Sequence, residues 1–179
     1  MSAVVLQILC VAGLLGIALL AIILSGKSSA TAFVYGATLV ICGVALFGAL
    51  RWLIGSGGNG ASMMLPIGLP WLGAHFHIDA LASFFLVVVN LGGAAARLYG
   101  LGYGRHDHAP HRVLPFFPAF LAGMNLVVLA DDAFSYLLCW EFMSLASWAL
   151  VMAHRQWGGQ GALTEPYLLC AKRDRKSVV

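Results

Sequence analysis

The sequence predicts an all-α membrane protein of about five transmembrane helices with its N-terminus outside. Three observations predict it. Of 179 residues, 61% are apolar and only 9% are charged, whereas a soluble domain carries about 25% charged residues. Five stretches each run for roughly 20 mostly apolar residues, the length a bilayer requires. Lys and Arg collect in alternate loops between them. The same composition excludes a disordered chain, a disulfide scaffold and a nucleic-acid binder.

The first span runs from Ala3 to Leu24, with Gln7 its only strongly polar residue. It lacks the basic start of a signal peptide and its apolar run is too long for one, so it reads as a retained helix. Gly26-Lys27-Ser28-Ser29 breaks the run, and a second span covers about Thr31 to Ile54. Gly55 to Gly60 reads as a linker, and Pro66 to Trp71 is too broken to span. The third span covers Ile78 to Ala96, with Asp79 at its start. A polar loop, Gly104 to Arg112, leads to a fourth span from Val113 to Ala130, and the fifth runs from Ala133 to Ala153. Residues 1–155 thus form one five-helix part. Residues 156–171 are polar and Gly-rich.

Orientation follows from the flanking basic residues. Lys27, Arg97, Arg105, Arg112 and Arg155 fall on one side; Arg51 falls on the other, with Asp79, Asp131 and Asp132. That asymmetry puts the first loop in the cytoplasm. The formal charge of +3 belongs wholly to Lys172, Arg173, Asp174, Arg175 and Lys176, and the rest of the chain is neutral.

Glu141 is the informative residue. It lies about eight residues into the fifth span, roughly 12 Å along the helix at 1.5 Å per residue, and so near the bilayer midplane. An ionisable group there costs about 2.5–3.5 kcal/mol on insertion scales, and such groups mark ion and proton paths. Burial favours the neutral form of a carboxylate and a nearby cation favours the charged form, the combination a proton relay needs. The structural alternative is a protonated Glu bonded to a neighbouring helix. Ser144 stands one turn along the same face, and Ser147 is more peripheral; both serines also suit helix packing. Asn125 in the fourth span and Asn90 in the third suit an interhelical hydrogen bond or a water site. Asp131 and Asp132 precede the fifth span, where acidic residues cap helices, with proton exit as a secondary role.

His75 and His77, like His106, His108 and His111, lack the spacing of a zinc site, and fit a solvated or headgroup-level cluster. Cys10, Cys42, Cys139 and Cys170 include no CxxC pair and read as small apolar fillers. Arg51, Trp52, Trp71, Tyr99, Tyr103, Trp148 and Trp157 read as interface anchors. No phosphate loop, iron–sulfur pattern or nucleophile elbow occurs, so redox chemistry falls to other subunits.

The segment Phe120 to Val151, FLAGMNLVVLADDAFSYLLCWEFMSLASWALV, resembles the antiporter-like membrane subunits related to respiratory complex I, in particular hydrogenase-4 component B of the group 4 hydrogenases. His77 to Gly100 is similar to that family's third span and its approach. The resemblance implies that Glu141, in Trp140-Glu141-Phe142-Met143-Ser144-Leu145, serves proton translocation. It implies a chain of about fourteen helices, of which this is the N-terminal piece. The sixth helix would begin near residues 156–171, and the later helices would carry lysine and histidine relay positions. It also implies a bacterial or archaeal cytoplasmic membrane, other membrane subunits as partners, and soluble hydrogenase and iron–sulfur subunits that hold the nickel–iron and iron–sulfur centres, with no cofactor in this chain. The closing Asp174-Arg175-Lys176-Ser177-Val178-Val179 back-translates to a run resembling a sequencing-library adapter, so residues 172–179 are expected to be a non-native tail. Two other functions stay open at this point: the large subunit of a multisubunit cation/proton antiporter, and a structural anchor that moves nothing.

Overall fold

The computed structural model describes residues 3–24, 28–55, 60–65, 73–103 and 115–174, with side chains described through Ala153 except at 28–32 and 101–103. Its elements are α1 (Ala3–Ile23), α2 (Ser28–Gly55), β1 (Ala61–Leu65), β2 (Ala74–Ile78), α3 (Ala80–Tyr103), α4 (Phe116–Leu129) and α5 (Ala133–Asp174). Hydrocarbon offers backbone groups no partners, so long apolar stretches close their hydrogen bonds within helices. The stretches Ala3–Ile23, Phe33–Gly55, Ala80–Gly100 and Ala133–Ala153 are long and apolar enough to cross a membrane. The chain is therefore a multi-pass helical membrane protein.

The fourth element corrects the expected span of Val113 to Ala130. Helix α4 has 14 residues, about 21 Å of rise, against a hydrocarbon core of about 30 Å. It begins after Pro115, a residue suited to helix starts. It ends because Ala130 turns extended and pairs with Phe76.

A β-hairpin is the second departure. Antiparallel β1 and β2 pair Ala61 with Ile78 and Leu65 with Ala74, on either side of the broken Pro66 to Trp71 stretch, where no strand was expected. In β2, Phe76 and Ile78 are buried while His75 and His77 are half-buried, the alternation of a one-sided strand. The third departure is the length of α5. Its backbone stays helical through Gly158, Gly159, Gly161 and Pro166 to Asp174.

Helix α1 packs on α2 and α4, α2 on α3, and α4 on α5. One apolar cluster, at the hairpin end, joins Val4, Ala49, Phe76, Ile78, Leu86 and Leu129. A second joins Val11, Leu14, Cys42, Leu121 and Ala122, and a third joins Ile17, Ala21 and Val34. Cys10, Cys42 and Cys139 are free and buried. Small residues set the closest helix approach, as is usual in membranes. A Cβ placed on Gly123 of α4 would lie 3.0 Å from Met143 Cα and 3.2 Å from Phe142 Cδ1 of α5.

Candidate functional site

The contact at Gly123 decides where Glu141 points. Phe142 and Met143 touch α4 there, and successive helix residues are rotated by about 100°, so Glu141 is carried around to the side away from α4. Ser135, Cys139 and Ala146 are buried in α5, whereas Leu137, Leu138, Glu141, Leu145 and Trp148 are exposed. Their spacing makes one face of the helix. Glu141 thus lies within an apolar stripe at mid-depth, and no hydrogen bond or ion pair ties it to another described residue. Ser144, one turn further, is half-buried.

The start of α5 is held differently. Asp132 Oδ1 accepts the Ser135 N–H at 2.8 Å, and its Oδ2 accepts the His75 N–H at 3.0 Å. The Asp131 N–H in turn donates to the His75 carbonyl at 3.0 Å, and His75 Nδ1 stands 3.9 Å from Asp132 Oδ2. Ser135 first, then the His75 N–H, hold the Asp132 carboxyl down at about 2. Asp132 is therefore the N-cap of α5 and the clasp for the hairpin. Asp79 caps α3 likewise, accepting the Ala82 N–H at 2.6 Å.

Asn125 lies elsewhere. It is buried inside the bundle, where its Oδ1 accepts from Asn90 Nδ2 at 2.7 Å, joining α4 to α3. The remaining amide donors bond Leu86 and Leu121 carbonyls at 2.8 Å each. Gln7 is buried too, donating to the Ala45 carbonyl at 2.9 Å. Of the residues singled out from sequence, the structure gathers Asp131 and Asp132 at the α4–α5 turn, places Glu141 and Ser144 about two and three turns along α5, and sends Asn125 toward α3.

Arg97, expected as a loop charge, lies instead within α3. It is 4% exposed, with its guanidinium carbon 4.5 Å from the Tyr35 ring centroid and 4.1 Å from that of Phe117. Its spacing of seven from Asn90 was a readable signal. Among the described residues no group of three or more His, Cys, Asp or Glu could hold a metal ion. Lys27, Arg105, Arg112, His106, His108 and His111, the side chains of Arg155, Trp157 and Cys170, and residues 175–179 lie outside what the structure describes.

No family model matches the chain. It is 32% identical over 115 residues to an uncharacterized protein of Mycobacterium tuberculosis, covering 64% of this chain and 18% of that protein. Hydrogenase-4 component B of Escherichia coli is 34% identical over 80 residues, 44% of this chain and 12% of that protein. NADH-quinone oxidoreductase subunit L of Mycobacterium tuberculosis is 32% identical over 74 residues, 41% of this chain and 12% of that protein. The match thus spans less than a fifth of each of these relatives. Among solved structures, the Mrp complex from a Dietzia species aligns with a TM-score of 0.64 at 21% identity, covering 85% of this chain and 28% of that one. The membrane-bound sulfane sulfur reductase, an archaeal respiratory membrane complex, aligns at 0.62 and 22% identity, covering 77% and 21%. The chain shares its helical fold with part of each of these two membrane complexes. In sequence the chain is similar to hydrogenase-4 component B and to NADH-quinone oxidoreductase subunit L over less than half of its length.

Proposed function

We propose that this chain is the N-terminal portion of a proton-translocating membrane subunit of a redox-driven complex, of the group 4 hydrogenase or NADH:quinone oxidoreductase type. One observation carries the reading: Glu141, a carboxylate at mid-depth, stands on a face that none of the described helices covers. In hydrocarbon that position costs about 2.5–3.5 kcal/mol, so a passive anchor gains nothing from it. Faced by hydrated or ionisable groups of a larger assembly, the same carboxylate takes up and releases a proton. Ser144 lies in reach of a water beside it, Asp131 and Asp132 mark the outer end of its helix, and Asn125 serves the packing of α4.

On this reading the N-terminus lies outside a bacterial or archaeal cytoplasmic membrane. The partners are other membrane subunits together with soluble hydrogenase and iron–sulfur subunits, which hold the metal centres. The similarity to hydrogenase and NADH-quinone oxidoreductase subunits supports the redox-driven assignment. Likeness of fold to the Mrp complex supports a second reading, the large subunit of a cation/proton antiporter; sodium efflux without any redox partner would favour it.

The test is Glu141→Gln in the full-length subunit within its assembled complex. Coupled proton pumping should be abolished or strongly reduced while the complex still assembles. An unchanged proton-to-electron stoichiometry would contradict the assignment.

A further inference from the structure

Helix α3 carries Ser83, Asn90 and Arg97 at intervals of seven residues, so the three lie on one face, about 10.5 Å apart along the axis. They are 0%, 0% and 4% exposed. Each presents a polar atom with no hydrogen-bond partner among the described residues: Ser83 Oγ, Asn90 Oδ1, and Arg97 Nε and Nη2. Interiors leave few such atoms, because each orphan gives up its hydrogen bonds to water without replacement, and a charged one loses more. Among the described residues the other such atoms are Trp52 Nε1 and, on α5, Ser135 Oγ; the three residues of α3 recur at one spacing on one face. At the hairpin end the indole N–H of Trp52, which packs on the cluster containing Ala49 and Leu86, is also buried and unpaired.

The atoms have complementary chemistry. Asn90 Oδ1 accepts, Ser83 Oγ donates and accepts, and Arg97 and Trp52 only donate. Nε and Nη2 form the side-on edge of the guanidinium, two parallel donors suited to an oxygen acceptor, while Tyr35 and Phe117 hold its faces. A ligand that bonds all of these must be small, uncharged, and both donor and acceptor. Water meets that description, and buried waters typically make about three hydrogen bonds to groups otherwise unsatisfied. At about 2.8 Å between oxygens, two or three waters span each interval.

We propose that α3 anchors an internal file of ordered waters at Ser83, Asn90 and Arg97, separate from the Glu141 face of α5. The file lies on the side of α3 where Asn90 meets Asn125 and where Arg97 sits between Tyr35 of α2 and Phe117 of α4. Glu141 is on the far side of α5 from α4. The unit is hydrated along its own core, independently of whether Glu141 relays protons.

Synchrotron hydroxyl-radical labelling of the intact chain in lipid nanodiscs tests this, since radicals formed from bound water mark the side chains touching it. After correction for intrinsic reactivity, Leu86 and Leu121 should label several times faster than Ile17 of the apolar α1–α2 cluster. Exposure gives no reason for that order, because Leu86 is 0% and Leu121 3% exposed against 7% for Ile17. Asn90→Leu should drop labelling of Leu86 and Leu121 to the rate of Ile17. Equal labelling of both groups in the unaltered chain overturns the proposal whatever the variant does. So does labelling that persists in a folded Asn90→Leu chain.

Discussion

Helices α4 and α5 each bring one polar residue to mid-depth, and they treat it in opposite ways. Asn125 of α4 is 2% exposed, faces α3 and bonds both Asn90 and a backbone carbonyl. Glu141 of α5 faces outward among leucines and Trp148 with no such partner among the described residues. The contrast is one of chemistry as well as place. A neutral amide pair closes an interface, since each amide has a donor and an acceptor to trade. A carboxylate cannot close an interface alone, and on an apolar stripe it demands water, a proton or a cation. The α4 amide is therefore met inside the bundle by α3, whereas the α5 carboxylate has no partner among the described residues.

Gly123 is where the two helices meet, and its replacement is expected to have the largest structural effect. Gly123→Leu drives a side chain into the α5 backbone at Met143, which should cost about 3 kcal/mol in reversible unfolding in mixed micelles, within the usual range for overpacking. Gly123→Ala should cost less, because only a Cβ at 3.0 Å must be accommodated. A neutral Gly123→Leu would mean that α5 is not seated there, and the placement of Glu141 would fall with it.

The amide pair comes next. Asn90→Leu or Asn125→Leu alone strands the other amide and should cost about 1–2 kcal/mol. The double variant should be more stable than the sum of the two losses predicts. Strict additivity in that cycle would show that the pair is not coupled.

The smallest effect concerns Asp132. Asp132→Ala removes the cap of α5 and the hairpin clasp, a loss of about 1 kcal/mol. The carboxyl is held at about 2, below its usual 3.8, so the clasp contributes fully above about pH 4 and is lost as pH falls through about 2. Hydrogen exchange of the His75 and Ser135 amides, taken relative to their intrinsic rates at each pH, should quicken over that window in the unaltered chain. In Asp132→Ala it should be fast throughout. Protection at pH 2 equal to that at pH 6 would show that the carboxylate is not the clasp.

The helices were legible because apolar runs between polar breaks leave lipid-buried backbone little alternative. Asp132 was legible as a cap from its place ahead of an apolar run. The hairpin was not, although the sequence His75-Phe76-His77-Ile78 alternates strictly, because five-residue strands resemble broken loops beside twenty-residue helices. The shortness of α4 also escaped the sequence, since it depends on Ala130 pairing with Phe76 from another part of the chain. At the site, the mid-depth position of Glu141 was readable by counting. Which way it faces was not, because the Gly123 contact sets that. Asn90 and Asn125 were readable singly, and only the packing of α3 on α4 shows that they belong together.

The central claim is that Glu141 changes protonation as the assembled complex turns over. Infrared difference spectroscopy of the full-length complex, with isotope-labelled glutamate, reads this directly. The account predicts a carboxyl C=O band that appears or vanishes on turnover, shifts with the label, and is missing in Glu141→Gln. A difference spectrum in which every glutamate carboxyl band survives that substitution would contradict it.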